Sequence, residues 1–176
     1  MNIPKFVEFG RMSETTENKK RKSILSRIAR RLILLPIVAV VGLFFLSLTA
    51  PTPEGLGASN GQLAKCPESP NCVSTQAADE SKKMEPIPYE SEPADMLAKI
   101  KSMIASDFSR AKLITESDNY LHFEFRSRLF RFVDDVEFLV DDNNSTIQFR
   151  SASRVGHSDL GANRKRMTKI RESLIQ

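Results

Sequence analysis

The polar side chains best suited to chemistry lie close together in the sequence RSASRVGHSDLGANRKR, which covers residues 150–166. This stretch leaves a predicted strand, crosses a loop with two glycines and enters a predicted helix. Polar groups at such junctions sit on a rigid scaffold, where binding sites are often built. The candidate ligand-binding residues are Arg150, Ser151, Ser153, Arg154, Asp159, Asn163 and Arg164.

The first turn of the predicted helix carries Arg164, Lys165 and Arg166. Cations at a helix N-terminus oppose the helix dipole by roughly a few tenths of a kcal/mol each, so a negative group should offset them. A bound carboxylate, phosphate or lipid headgroup could supply that charge. It would be held by Arg154, Arg164, the helix amides and one of the two serines.

Internal ion pairing is the competing interpretation of the same residues. In that case Asp134, Asp135 or Asp159 neutralises the arginines and fixes the loop. A surface pair of this kind contributes at most about 1 kcal/mol. The sequence leaves both interpretations open.

Serine catalysis is not predicted, and no catalytic residue is assigned. Ser151 and Ser153 need a base, but the chain has only His122 and His157, and no Gly-x-Ser-x-Gly turn surrounds either serine. Enzymatic activity is therefore less favoured than binding, and no cofactor is expected.

An acidic run, Asp134, Asp135 and Glu137, could bind a divalent cation. On a strand, however, Asp134 points to the opposite side from the other two carboxylates. The pattern favours a solvated acidic face, and no metal site is predicted.

The two cysteines, Cys66 and Cys72, enclose five residues in the sequence CPESPNC. A disulfide is the favoured interpretation, and it would contribute about 2 kcal/mol by closing a loop of this size. The alternative is a metal or redox pair. Redox motifs have two intervening residues, and no histidine or third cysteine lies nearby.

An apolar segment, Leu32–Ala50, contains 19 uncharged residues. As a helix it rises about 28 Å, enough to cross a bilayer. The alternatives are a buried core helix and a cleaved signal peptide. We favour an uncleaved anchor, since the polar leader is about 30 residues long and no small-x-small cleavage pattern follows.

The charges on the two sides of this segment are unequal. Residues 1–31 hold 9 basic and 3 acidic side chains, whereas residues 51–176 hold 17 basic and 19 acidic. The positive-inside rule places the N-terminus in the cytoplasm and the C-terminal part in the periplasm, on the far side of an inner membrane. The basic tail could also contact anionic lipid headgroups. Nucleic-acid binding is not expected, because the basic charge belongs to the tail rather than to a folded module.

The chain therefore divides into four parts: a basic cytoplasmic tail at 1–31, a transmembrane helix at 32–50, a Pro/Gly/Ser linker at 51–61 and an extracytoplasmic domain at 62–176. Within the domain, apolar spacing predicts two helices and several strands. The helices are expected at 93–108, capped by Ser91, and at 162–174; the strands at 111–116, 119–126, 129–133, 134–140 and 146–152. This order predicts an α+β fold, with an antiparallel sheet of about 4–5 strands and both helices packed on one face.

The predicted hairpin has a self-consistent register. If Phe138 faces Phe149 on the core side, Glu137 faces Arg150 on the other side. Residues 141–145 (DDNNS) form the turn.

Three ordered motifs resemble one known family: CPESPNCVSTQ at 66–76, DDVEF at 134–138 and RSASRVGHSDLGANRKR at 150–166. The chain from Cys66 to its end is similar to the domain-of-unknown-function family numbered 1499. The resemblance implies no activity or cofactor. It implies that both cysteines and the candidate binding residues belong to a shared pattern, and it is compatible with either fold maintenance or ligand binding.

Taken together, the sequence indicates a single-pass envelope membrane protein whose external domain binds an anionic ligand or a protein partner. The alternative is an enzyme acting on an anionic envelope substrate. In that case Arg154 and Arg164 would orient the substrate, and Asp159 or Ser153 would transfer protons. The expected partners are the lipid bilayer, an anionic small molecule or lipid headgroup, and an envelope protein.

Overall fold

The computed structural model describes residues 8–175. The chain forms two compact units, with the boundary after Leu43. Helix α1, Glu8–Thr49, begins in the first unit. It contains Lys19–Ser47, the one helical stretch in the described residues that is long and apolar enough to cross a membrane; an 18-residue window within it has a mean hydropathy of 2.2. Pro36 lies inside α1, as membrane helices tolerate.

The second unit holds the remaining elements. In chain order they are β1 Cys72–Ser74, β2 Ile87–Pro88, α2 Pro93–Asp107, β3 Ala111–Ser117, β4 Tyr120–Arg126, β5 Val133–Asp141, β6 Thr146–Ser153 and α3 Ala162–Leu174. The strands form one antiparallel sheet in the order β1-β6-β5-β4-β3, and β2 also pairs with β6. The predicted α+β class is confirmed.

Both helices pack on the same face of the sheet. The apolar stripes of α2 and α3 meet the alternate, inward side chains of β4, β5 and β6 in one core. Its fully buried members include Ile100, Ile104, Leu121, Val136, Phe138, Ile147, Phe149, Met167 and Ile170. Burying each such side chain stabilises the fold by about 1.5–3 kcal/mol.

The hairpin register is confirmed. Phe138 pairs with Phe149 and Glu137 pairs with Arg150, as the alternation predicts. The turn lies where DDNNS occurs, between β5 and β6. Because a one-residue slip would move every apolar side chain to the other face, the core fixes this pairing.

The predicted strand at 129–133 is wrong, because residues 127–132 form a loop. The amide of Phe132 donates to Ser127 Oγ at 2.9 Å, which closes the loop. Arg131 adopts a φ of 59°, in the left-handed region that strands do not use. As a result Leu129 is 74% exposed.

Two further expectations differ from the structure. Glu92, not Ser91, is the N-cap of α2, with proline at the start of the helix, where its missing amide hydrogen costs nothing. The short strands β1 and β2 were not predicted, since three and two residues are too few to show a period.

The sheet face opposite the helices is partly covered by the chain that precedes β1. Leu63 packs with Tyr120 and Leu139 in a second apolar cluster. Gly57, within the segment predicted as a linker, donates its amide hydrogen to Glu137 Oε1 at 2.8 Å. Polar side chains on this face are therefore held between the sheet and the chain that crosses it.

Candidate functional site

The candidate residues are divided between the two faces of β6. Successive side chains of a strand point to opposite sides, so Ser151 and Ser153 face the helices, whereas Arg150 faces away from them. The guanidinium of Arg154 meets acidic side chains of β4 and β5 on the face opposite the helices. Contrary to the sequence prediction, the fold therefore does not bring Arg154 and either serine together around one ligand, because their side chains lie on opposite faces of the sheet.

Arg154 lies among carboxylates of the chain itself. Its Nε donates to Asp135 Oδ2 at 2.8 Å and its Nη2 donates to Asp135 Oδ1 at 2.7 Å. Nη2 also donates to Glu124 Oε1 at 2.6 Å. Because the side chain is only 6% exposed, these charge-assisted bonds replace its hydration.

Asp135 also contacts His122, whose Nε2 lies 2.8 Å from Oδ1. Burial by itself raises the pKa of Asp135, but the hydrogen bonds from Arg154 and His122 outweigh it and hold the pKa below its ordinary value. The same contacts with Asp135 raise the pKa of Arg154. The pair is ionised at neutral pH.

A second pair lies beside the first on this face. Arg150 Nη1 donates to Glu137 Oε2 at 3.1 Å, and the Tyr120 hydroxyl donates to Glu137 Oε1 at 2.8 Å. Glu137 is fully buried. Burial and the adjacent charge of Glu137 raise the pKa of Tyr120 well above its ordinary value.

The solvated acidic face predicted from the sequence is therefore wrong. Asp134, Asp135 and Glu137 are all buried, with exposures of 7%, 1% and 0%. A buried carboxylate is tolerated only when it is paired and hydrogen-bonded, and each of the three has an arginine partner.

On the helix side, Asn163 uses its whole side-chain amide. Its Oδ1 accepts from Ser151 Oγ at 2.6 Å and from Arg166 Nη1 at 2.7 Å. Its Nδ2 donates to the Asn71 carbonyl at 2.9 Å and to Ser153 Oγ at 3.0 Å. Asn163 is completely buried, and it joins β6 and the residue that precedes β1 to the start of α3.

Asp134 completes this network. It accepts from Ser153 Oγ at 2.6 Å and forms an ion pair with Arg166. The Arg166 guanidinium also lies 4.8 Å from the centre of the Phe125 ring. We call this network the β6–α3 clasp; its members are Asn71, Asp134, Ser151, Ser153, Asn163 and Arg166.

The amides at the start of α3 are satisfied by Asp159. Its Oδ1 accepts from the Gly161 amide at 3.0 Å, and its Oδ2 accepts from the Asn163 amide at 2.7 Å. Gly161 has a φ of 79°, which glycine adopts without steric cost. Asp159 is thus a negative group of the chain that offsets the cations in this turn.

Arg164 differs from the other arginines of the motif. Its guanidinium donates to the Ser81 carbonyl at 2.6 Å and to the Lys83 carbonyl at 3.3 Å. Among the side chains that the structure describes, it has no ion-pair partner. It lines a cavity of about 210 Å³ between the start of α3 and the disulfide loop, together with Lys82 and Asp159. It also lines a second cavity of about 370 Å³, whose lining includes Arg171 and the glutamates Glu80, Glu85 and Glu172.

The predicted disulfide is confirmed, with Cys66 and Cys72 joined. Cys72 pairs with Ala152 in the sheet, so the closed loop is fixed beside β6. Lys82 is buried against this loop and donates its ammonium hydrogens to the carbonyls of Pro67 and Glu68, at 2.6 and 2.9 Å. Within residues 8–175, no group of three metal-ligating side chains occurs.

The sequence model of the family described as Protein of unknown function (DUF1499) matches residues 62–174. The chain belongs to this family. No curated protein and no solved structure matches the chain. The DUF1499 domain therefore comprises the sheet, α2, α3 and the disulfide loop.

Five residues of the DUF1499 domain have roles that the sequence interpretation missed: Asn71, Lys82, His122, Glu124 and Arg166. The alternation in β4 puts His122 and Glu124 on the same face as Asp135. If the register of the β5–β6 hairpin is extended to β4, His122 lies opposite Glu137 and Glu124 lies opposite Asp135. The sequence carries no comparable signal for Asn71 or Lys82, because both act through backbone carbonyls of distant segments.

Proposed function

We propose that the chain is a single-pass inner-membrane protein with a cytoplasmic N-terminus and a periplasmic DUF1499 domain that binds an anionic ligand through Arg164. The long apolar helix supports the membrane anchor. The cations Lys19, Lys20, Arg21, Lys22, Arg27, Arg30 and Arg31 precede its apolar part, whereas Lys65 is the one cation in residues 51–70. This asymmetry supports the orientation.

The Cys66–Cys72 disulfide supports the same orientation. Disulfides persist in oxidising compartments such as the periplasm and are rare in the cytosol. The bridge lies on the C-terminal side of the helix, where the charge rule also predicts the external compartment.

The clasp supports binding rather than catalysis. Ser151 and Ser153 donate their hydroxyl hydrogens to Asn163 and Asp134. His122 is hydrogen-bonded to Asp135 on the opposite face of the sheet, and among the described residues neither serine forms a hydrogen bond with His122 or His157. A serine nucleophile needs a base such as an imidazole to be activated.

One observation carries the ligand proposal: Arg164 is the motif arginine whose guanidinium meets only backbone carbonyls among the described residues. Arg154, Arg150 and Arg166 are each neutralised by a carboxylate. An anion in the cavity beside the disulfide loop would complete the charge pairing of Arg164. Since Asp159 occupies the helix amides, the guanidinium is the group that would hold it.

The orientation is tested with a membrane-impermeant thiol reagent in intact cells after mild reduction. Labelling of Cys66 and Cys72 is expected without lysis. Labelling that requires lysis would place the domain in the cytoplasm and contradict the proposal.

Ligand binding is tested by thermal unfolding of the full chain in detergent while inorganic phosphate is titrated. A ligand at 100 times its dissociation constant stabilises the folded state by about 2.7 kcal/mol, which raises the melting temperature by several degrees. Chloride at equal ionic strength is the control. An equal response to both salts would contradict a phosphate-type site.

A further inference from the structure

The two ends of the sheet in the DUF1499 domain carry opposite charge. At one end, residues 88–95, 116–119 and 141–145 hold seven acidic and no basic side chains. At the other end, residues 108–110 and 126–133 hold four arginines and no acid. The nearest preceding acid, Asp107, is paired with Lys169 at 3.0 Å. The charge of these segments therefore changes sign along the strands, even with Glu116 paired to Lys101 at the acidic end. At the basic end, Asp159 in the loop after β6 is bound to the amides of Gly161 and Asn163.

Hydrogen bonds place these segments at common ends. At the acidic end, the Tyr89 amide donates to the Ser145 carbonyl at 3.1 Å, and the Val140 amide donates to the Asn119 carbonyl at 2.9 Å. At the basic end, the Arg126 amide donates to the Arg110 carbonyl at 3.1 Å. The loop after β6 joins the same end, because the Arg154 amide donates to the Val133 carbonyl at 3.0 Å.

The basic end also carries the two most exposed leucines of the described part of the domain. Leu129 is 74% exposed and Leu160 is 97% exposed. Leu160 has a φ of 54°, a conformation that leucine rarely adopts. Beside Leu129, the rings of Phe130 and Phe132 lie with their centres 5.5 Å apart, tilted by 37°, and both side chains are only partly buried.

Arginines flank Leu129 and Phe130 in the loop between β4 and β5, while Leu160 lies in the loop after β6 at the same end of the sheet. Arg110, Arg128 and Arg131 are exposed, and none forms an ion pair with a side chain that the structure describes. We call this surface the basic tip; it comprises Arg110, residues 126–132 and Leu160. It combines unpaired cations with apolar side chains that extend into solvent.

We propose that the basic tip docks the DUF1499 domain on an anionic phospholipid surface. The arginines would bind lipid phosphates, which arginine recognises with its paired donors. Leu129 and Leu160 would enter the boundary between headgroups and acyl chains, as apolar side chains of interfacial segments do. The acidic end would then point away from the negatively charged bilayer, so the field of the membrane would also orient the domain.

The inference uses the proposed membrane anchor as a tether. A covalent link to the bilayer keeps the domain at a high effective concentration near lipid, so even a weak tip contact would be populated. A soluble protein partner would not share this advantage. The charge pattern also matches a uniformly negative surface, whereas a protein partner would need a defined pattern of its own.

The test uses the full chain in lipid nanodiscs, with Leu129→Cys labelled by an environment-sensitive fluorophore under conditions that keep the native disulfide. The matched control is Asn143→Cys, which lies in the exposed turn of the acidic end. Nanodiscs of phosphatidylcholine alone are compared with nanodiscs that also contain phosphatidylglycerol. Nitroxide-labelled lipids serve as quenchers.

The label at residue 129 is expected to shift to the blue and to be quenched in the anionic nanodiscs, while the label at residue 143 stays unchanged. The pair Arg128→Glu and Arg131→Glu should abolish the shift. The pair Lys83→Glu and Lys99→Glu, which changes the net charge equally, should keep it. A label at residue 129 that stays exposed to water in both lipids would overturn the inference and favour a protein partner for this surface.

The experiment distinguishes a failure of the proposed membrane anchor from a failure of the basic tip. Both leaflets of a nanodisc have the same lipids, so the orientation of the chain does not affect the reading. A chain that does not remain with the nanodiscs would contradict the anchor. In that case the same fluorescence comparison is made by adding the labelled chain to vesicles of the two lipid compositions, and docking on the anionic vesicles alone would still support the basic tip.

Discussion

Arg154 binds Asp135 through two hydrogen bonds, from Nε to Oδ2 and from Nη2 to Oδ1. Both side chains are buried on the sheet face opposite the helices. The pair links the end of β6 to the neighbouring strand β5. Glu124 on β4 accepts a further bond from the same guanidinium. One arginine thus ties together three adjacent strands.

Replacing Arg154 should destabilise the domain strongly. Arg154→Ala leaves Asp135 buried without its main counter-charge, and breaking a buried pair in this way costs about 3–5 kcal/mol. Chemical denaturation measures the free energy of unfolding. Arg128→Ala, an exposed substitution, should change it by no more than about 0.5 kcal/mol; equal effects of the two substitutions would contradict a structural role for Arg154.

Acid should destabilise the domain partly through Asp135. Its pKa is lowered in the folded state from an ordinary value of 3.8, so its contribution is complete above that value and is lost as the pH falls through the folded pKa. Denaturation curves at neutral pH and at successive values below pH 4 measure this loss. Asp135→Asn should flatten the decline relative to the wild type, whereas Asp118→Asn should not. Parallel pH curves for all three proteins would contradict the assignment.

Opening the disulfide should cost about 2 kcal/mol through loop entropy. The closed loop also presents the carbonyls of Pro67 and Glu68 to Lys82. We therefore expect Lys82→Met to be less destabilising in the Cys66→Ala, Cys72→Ala background than in the wild type. A double-mutant cycle measures this coupling, and strictly additive effects would show that the loop and Lys82 act independently.

The stability of the β6–α3 clasp should depend on Asn163, because its side chain contacts four other groups. Asn163→Ala removes four hydrogen bonds and leaves buried groups without partners, at about 1–3 kcal/mol for each such group. Lys165→Ala, on the exposed side of the same helix turn, should change stability by at most about 0.5 kcal/mol. Similar unfolding free energies for both variants would show that the clasp does not hold α3 in place.

The helices and the β5–β6 hairpin could be predicted because their apolar residues recur with a clear period. Ile100 and Ile104 mark one face of α2, and Phe138 and Phe149 fix the hairpin register. The burial of the opposite sheet face could not be predicted in this way. Alternating polar residues indicate a solvated face, but here Leu63 and Gly57 cross it and arginines neutralise its carboxylates.

The candidate site could be predicted only in part from the sequence, because the partners of its polar groups lie on distant segments. The motif at 150–166 indicates many polar groups, but it does not indicate which of them already have partners. Arg154 and Asn163 are satisfied by residues 19 and 92 positions away, and such pairings depend on the tertiary fold. The spacing predicts a strand over residues 129–133 because Phe130 and Phe132 alternate with other residues, although the backbone at Arg131 does not allow a strand.

The central claim is that the motif arginines have different tasks, with Arg154 supporting the fold and Arg164 binding an anion. The most direct measurement is a phosphate titration of the melting temperature for the wild type, Arg164→Gln and, as a matched control, Arg110→Gln, at a residue that also donates to a backbone carbonyl but lines neither of the cavities that Arg164 lines. We expect phosphate to stabilise the wild type and Arg110→Gln but not Arg164→Gln, which should melt close to the wild type without phosphate. Equal phosphate responses in all three proteins would contradict the account.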